Sequence, residues 1–201
     1  MAKIKIGTIV TKLKLCNAFD RHAIRVLSDY LDPQQQEKGK QRKYKITKEL
    51  PELREYNALK TAKFTRSLSD LIDEAYSEIK TLAEEMQEVH DNMPENLQET
   101  ELGNARQEAA DQLSDVQRPE IPNVLESLTV LHYPSSKLSS RSDRAAEAVS
   151  ILYDCATQTD DWVAEQQDKG VDLEDCCDEF TNQLRDDIST VEDVEFPGMY
   201  G

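Results

Sequence analysis

Apolar residues recur at intervals of three and four along most of the chain, which predicts a largely helical protein. The clearest example is a run of eight apolar positions whose spacing alternates strictly between four and three residues. This is the a/d pattern of a coiled coil or helical bundle. We call these positions the heptad seam: Leu68, Ile72, Ala75, Ile79, Leu82, Met86, Val89 and Met93.

Prolines and a serine-rich stretch divide this helical pattern. Pro51 suits the first turn of a helix, and the pattern then continues to about residue 92. A helix of about 40 residues would be about 60 Å long at 1.5 Å per residue. The expected fold class is therefore all-α, an elongated helical bundle or coiled-coil-like fold with one long central helix and several shorter packed helices.

Four segments follow from these breaks. We expect a basic N-terminal helical segment and basic loop, a long heptad helix with folded-back helices, a Ser-rich linker, and an acidic C-terminal helical hairpin and tail. The basic N-terminal segment covers residues 1–50 and the long heptad helix with its folded-back helices covers 51–133. The Ser-rich linker covers 134–142, and the acidic C-terminal hairpin and tail cover 143–201. Residues 3–10 also alternate between polar and apolar, so a short strand at the start is an alternative to helix.

Charge separates the chain into two parts. Residues 1–66 hold 16 Lys/Arg and 7 Asp/Glu, a net charge of +9. Residues 67–201 hold 8 Lys/Arg and 33 Asp/Glu, a net charge of −25. Regions with such opposed fields attract opposite partners, or each other, over a Debye length of about 8–10 Å. Binding is therefore the leading functional hypothesis.

The basic part contains a polar connector in which one aromatic residue lies among cations. Cations can contact phosphates and an aromatic ring can stack on a base, so the connector is a candidate nucleic-acid contact. An acidic protein surface and a solvated loop without a specific role are the alternatives. The candidate residues are Lys38, Lys40, Arg42, Lys43, Tyr44, Lys45 and Lys48.

The predicted long helix carries carboxylates at intervals of four residues. Like charges at this spacing cost a few tenths of a kcal/mol per pair, roughly, so a stripe of them favours a basic partner. The alternatives are a solubilising face and an acidic rod that imitates the charge of DNA. We call this set the acidic stripe: Asp70, Glu74, Glu78, Glu84 and Glu88.

Nothing in the sequence indicates catalysis. His22, His90 and His132 are far apart in sequence, and no zinc-protease, nucleophile-elbow, dinucleotide-binding or P-loop motif is present. We therefore predict a protein that is not an enzyme, with no cofactor and no metal. The four cysteines show no C-x-x-C spacing and are interpreted as reduced thiols of a cytoplasmic protein. No apolar run approaches the length of a membrane span, so no membrane partner is expected.

These patterns predict a helical assembly or adaptor protein. It would self-associate as a homo-oligomer through the heptad seam and bind a protein partner with a charged surface. A viral or phage accessory or structural component fits this description, in the host cytoplasm or the virion. One alternative is a nucleic-acid-binding regulator that uses the basic N-terminal region. Another is an acidic DNA-mimic inhibitor of a DNA-binding protein.

Overall fold

The computed structural model describes residues 4–35, 41–135, 138–171, 173 and 176–197, with the backbone alone at residue 176. The chain forms two compact units, Met1–Thr65 (unit 1) and Arg66–Gly201 (unit 2). Most of the described residues are helical, and the helices pack against one another beside a few short strands. The predicted all-α class is confirmed at this level.

Unit 1 combines short helices with a small sheet. In chain order its elements are β1 (Ile9–Thr11), α1 (Lys12–Ala18), α2 (Ala23–Val26), a 3-10 helix (Ser28–Tyr30), β2 (Leu31–Pro33), β3 (Lys43–Ile46) and α3 (Leu53–Phe64). The sheet is antiparallel in the order β1-β3-β2. Strand β1 overlaps the predicted strand at residues 3–10 only at Ile9 and Val10, because residues 4–8 belong to no strand.

The basic connector, Gln34 to Lys48, was expected to be a loop or a flexible hairpin, and part of it forms strand β3, which pairs antiparallel with β2. Tyr44 and Ile46 are buried, whereas Lys43 and Lys45 are exposed. This alternation gives the strand one apolar face toward the core and one basic face toward solvent. The lysines therefore share the outer face of a sheet.

Unit 2 is a bundle of long helices. The elements from the junction onward are β4 (Thr65–Ser67), α4 (Leu68–Asp91), α5 (Glu95–Gln98), α6 (Glu101–Asp115), a 3-10 helix (Asn123–Leu125), β5 (Thr129–Leu131), α7 (Arg141–Asp168) and α8 (Cys176–Glu192). β4 pairs with β5 in a two-stranded sheet. Helix α4 packs against α6 and α7, and α7 packs against α8.

The helix predicted from Pro51 to residue 92 is two helices. The chain is extended over Thr65–Ser67, between α3 and α4. The Ser67 hydroxyl accepts a 3.1 Å hydrogen bond from the Asp70 N–H and so caps α4. At 24 residues α4 is long, but α7 is longer, at 28. Helix α7 begins at Arg141, inside the predicted 134–142 linker, of which residues 136 and 137 lie outside the described residues.

The heptad seam lies mostly in the core of unit 2. Six of its residues are at most 1% exposed: Leu68, Ile72, Ala75, Ile79, Leu82 and Met86. Val89 and Met93 are half-buried. The same core includes apolar residues of α6, α7 and α8, from both sides of the predicted linker. The seam is therefore covered by other helices of its own chain, and a self-associating surface would have to be formed by other residues.

Candidate nucleic-acid interface

Helix α1, of seven residues, and helix α2, of four, are joined by a short turn in unit 1, and we call this pair the helix-turn-helix. Residues 19–22 connect the two helices, and the 3-10 helix and the β2–β3 hairpin follow. Leu15 of α1 and Ala23 and Val26 of α2 are buried, which holds the two helices on a common core.

The turn between α1 and α2 is held by the carboxylate of Asp20. Its Oδ1 accepts hydrogen bonds from the Tyr56 hydroxyl at 2.6 Å and from the His22 backbone N–H at 2.8 Å. Its Oδ2 lies 2.8 Å from the Lys60 ammonium. Burial alone would raise the pKa of Asp20, but hydrogen bonds from Lys60, Tyr56 and His22 outweigh it and lower that pKa. Asp20 is therefore an anion at neutral pH.

Ring contacts also join the helix-turn-helix to α3. The ring centroids of Phe19 and Tyr56 are 4.6 Å apart, and those of His22 and Phe64 are 5.0 Å apart. The Arg25 guanidinium lies 5.0 Å from the Phe64 centroid. Burial, and then the charge of the neighbouring arginine, lowers the pKa of His22. A neutral imidazole therefore packs here at physiological pH.

The structure separates the predicted basic contact residues. Arg42, Lys43 and Lys45 are exposed on or next to β3. The Lys48 ammonium lies 5.7 Å from the Tyr30 ring centroid. Lys38 and Lys40 lie outside the described residues.

Tyr44 does not provide the predicted stacking ring. Its side chain is only 8% exposed because it points to the core side of β3. Any base contact in this region would have to come from residues other than Tyr44.

Further cations, which the sequence interpretation did not single out, lie on the helix-turn-helix. Lys12 and Lys14 of α1, Arg21 of the turn and Arg25 of α2 are exposed. In the sequence, the pattern that could have indicated them is the short spacing of these cations around apolar residues that the structure buries. Among the described residues of unit 1, eleven exposed cations make no ion pair: Lys5, Lys12, Lys14, Arg21, Arg25, Arg42, Lys43, Lys45, Lys48, Arg54 and Lys63. Unit 1 holds 15 Lys/Arg and 7 Asp/Glu, a net charge of +8.

The acidic stripe on α4 is partly neutralised within unit 2. Glu74 pairs with Arg66, and Glu78 pairs with Arg144 of α7. Glu84 lies 3.9 Å from Lys80, while Asp70 and Glu88 are exposed.

Glu85, which was outside the predicted stripe, is the carboxylate that α7 binds most fully. It contacts Arg144 at 2.7 Å and Arg141 at 3.1 Å. Hydrogen bonds from Arg144 and Arg141 lower the pKa of Glu85, although burial opposes them. These ion pairs join α4 to α7, so part of the acidic surface has a structural role.

Other groups with potential chemistry are structurally engaged. His132 is 4% exposed, and its ring nitrogens contact Asp154 at 2.8 Å and Glu147 at 3.1 Å. Cys16, Cys155 and Cys177 form no disulfide with one another, and burial raises the pKa of Cys155 to about 12. Within the described ranges, no group of three or more His, Cys, Asp or Glu residues could hold a metal ion.

No family model, curated protein or solved structure matches the chain. In the part of the chain that the structure describes, no helix is both long and apolar enough to cross a membrane.

Proposed function

We propose that unit 1 binds double-stranded DNA, the nucleic-acid alternative among the functions predicted from the sequence. The observation that carries this proposal is a helix-turn-helix and a β-hairpin in one small unit with unpaired, exposed cations on both. Apolar residues hold this framework together from the inside, so the cations are free to contact phosphates.

The two groups of cations would have different roles. Lys43 and Lys45 on the outer face of β3 would neutralise phosphates and so supply affinity that depends on salt but not on base sequence. Arg21 and Arg25, next to and within α2, would accompany that helix to the groove, where base edges are accessible. Positioning and base contact are thus assigned to different elements.

The acidic unit 2 would be the protein-contacting part of such a regulator. It holds 9 Lys/Arg and 33 Asp/Glu, a net charge of −24. A charge of this size disfavours contact with DNA and favours a basic protein surface. The assembly, adaptor and DNA-mimic functions stay predictions. Because the heptad seam is buried, the assembly function would need an oligomer surface formed by other residues.

The direct test is fluorescence anisotropy of the full chain with a labelled mixed-sequence DNA duplex. Affinity should fall steeply between about 50 mM and about 200 mM salt, because each phosphate contact releases counterions. The double variant Lys43→Gln/Lys45→Gln should bind more weakly. Its plot of log affinity against log salt should flatten by about 0.9 for each lost contact.

The matched control is Lys80→Gln/Lys169→Gln, which removes the same charge from exposed lysines of unit 2. This variant should retain the wild-type affinity and salt dependence. If both double variants lose affinity equally, net charge rather than unit 1 determines binding. If the wild-type chain binds no duplex at the lower salt, the proposal fails.

A further inference from the structure

A groove of about 1030 Å³ in unit 2 belongs to none of the features described above. It is lined by residues 117–122, which connect α6 to the 3-10 helix Asn123–Leu125, and by residues of α8. Its volume is at the upper end of the range for binding clefts, roughly 300–1,000 Å³. The groove is open to solvent along the connecting segment.

The connecting segment has extended ends and several unpaired N–H groups. Two of its carbonyl oxygens are occupied: that of Pro119 accepts a 3.3 Å hydrogen bond from the Arg118 guanidinium, and that of Pro122 accepts one of 2.8 Å from the Leu125 N–H. Val116 and Pro122, at its two ends, have extended backbone angles. The N–H groups of Gln117, Arg118, Glu120 and Ile121 make no hydrogen bond to any described residue. Such a segment resembles the free edge of a sheet, to which another strand can pair through main-chain hydrogen bonds.

The side chains around this segment are acidic and apolar. Asp115, Glu120 and Glu179 line the groove, and the one cation among its lining residues, Arg118, already donates a 2.6 Å hydrogen bond to Asp73. Ile121 is half-exposed and Val124 is 47% exposed. An occupant with alternating basic and apolar side chains would match both the charge and the apolar surface.

We propose that this groove binds an extended peptide segment of a partner protein, with basic and apolar residues in alternation, as an added strand along residues 117–121. The proposal does not depend on DNA binding by unit 1, because every residue that carries it belongs to unit 2. Main-chain hydrogen bonds would supply affinity, and the carboxylates and apolar side chains would select the sequence.

The probe is a labelled peptide of alternating lysine and valine with blocked ends, titrated with the full chain by anisotropy. Two further peptides carry N-methyl groups, one on the valine nitrogens and the other on the internal lysine nitrogens. A strand pairs through one edge only, so one methylated peptide should lose about tenfold or more in affinity while the other binds like the parent. Equal binding of all three would overturn the proposal, as would absence of saturable binding by the parent peptide.

Two variants of the protein separate main-chain pairing from charge. Pro119 has no N–H, so the added strand would pair through the other edge of the segment, which presents the N–H groups of Arg118 and Glu120. Glu120→Gln and Glu120→Pro remove the same charge, but only the proline also removes an N–H from that edge. Glu120 is exposed and its N–H is unbonded, so both variants should fold. The proline variant should bind the parent peptide several-fold more weakly than the glutamine variant. Identical affinities for the two variants would leave surface charge as the cause of binding and would contradict the added-strand arrangement.

Discussion

The hydroxyl of Tyr56 donates a 2.6 Å hydrogen bond to Oδ1 of Asp20, and this contact joins α3 to the turn of the helix-turn-helix. The same carboxylate binds the His22 N–H and the Lys60 ammonium. Three donors from two elements therefore converge on one side chain in a connection of four residues. A turn fixed in this way sets the direction in which α2 leaves it.

We expect Tyr56→Phe to destabilise unit 1 by about 1–2 kcal/mol, since a hydrogen bond to a charged acceptor is lost while the ring stays. Amide hydrogen exchange in α1 and α3 should accelerate. Trp162 is the only tryptophan of the chain and lies in unit 2. The unfolding curve of unit 2, followed by Trp162 fluorescence, should therefore not change. Tyr153→Phe is the control, because that side chain is 63% exposed. Unchanged exchange in Tyr56→Phe would show that the contact contributes nothing.

The same carboxylate makes unit 1 sensitive to acid. The pKa of Asp20 is lower in the folded chain than its ordinary value of 3.8, so the stabilisation is present above that value. It is lost as the pH falls below 3.8 and through the lowered pKa. Asp20→Asn lacks the stabilisation that the ionised carboxylate gives to unit 1. The free energies of unfolding of the variant and the wild type should therefore converge at low pH. A difference that stays constant down to low pH would contradict this expectation.

Asp187 presents the opposite case, because burial raises its pKa. The side chain is 5% exposed and accepts hydrogen bonds from the Tyr76 hydroxyl and, at 2.9 Å, from the Gln183 amide. The folded chain therefore favours the protonated acid, and stability falls as the pH rises from 3.8 through the raised pKa. The amide introduced by Asp187→Asn cannot ionise, so this variant should not lose stability as the pH rises. The variant should therefore be more stable than the wild type at neutral pH.

Trp162 fluorescence in urea measures this difference for unit 2. The advantage of Asp187→Asn should shrink as the pH is lowered, because the wild-type acid then becomes neutral as well. Asp186→Asn removes a neighbouring negative charge that also raises the Asp187 pKa, so it should increase stability in the same direction but by less than Asp187→Asn. If Asp187→Asn is less stable than the wild type at every pH, the hydrogen bonds of the ionised carboxylate outweigh its burial.

The sequence pattern predicted the amphipathic helices but not their partners. The heptad seam correctly marked an apolar face of α4, because burial of that face requires residues three and four apart. The same pattern fits contact with a second chain or with α6 and α7, so it could not decide between an oligomer and a core. The break at Thr65–Ser67 was missed because the helical pattern continues through it.

The candidate interface was only partly predictable. A run of cations marked the region, but Tyr44 was expected to be exposed, because the strand that buries it exists only through pairing with β1 and β2. The helix-turn-helix was not visible in the sequence. Its helices are short, and Asp20, which organises the turn, is contacted by Tyr56 and Lys60 from a distant part of the sequence.

Gly103 separates intrinsic propensity from packing. Propensity alone predicts that Gly103→Ala stabilises α6 by about 1 kcal/mol. In the structure an added Cβ would lie 2.1 Å from the carbonyl oxygen of Gln98, a backbone atom that cannot move aside freely. We therefore expect Gly103→Ala to destabilise unit 2 by about 1–3 kcal/mol. The control, Asn104→Ala, is exposed in the same helix. A raised urea midpoint for Gly103→Ala would show that α5 moves away from the added Cβ without a loss of stability.

Ile79 and Leu82 test whether the heptad seam serves folding or self-association. Their side chains are 1% and 0% exposed within one chain, so Ile79→Ala should cost about 2–5 kcal/mol through lost burial and a cavity. The control Leu97→Ala truncates a side chain that is 43% exposed and should cost much less. If the seam is a core within one chain, the urea midpoints of the wild type and of Ile79→Ala should not depend on protein concentration. A midpoint that rises with concentration in the wild type and is constant in Ile79→Ala would instead assign the seam to an oligomer.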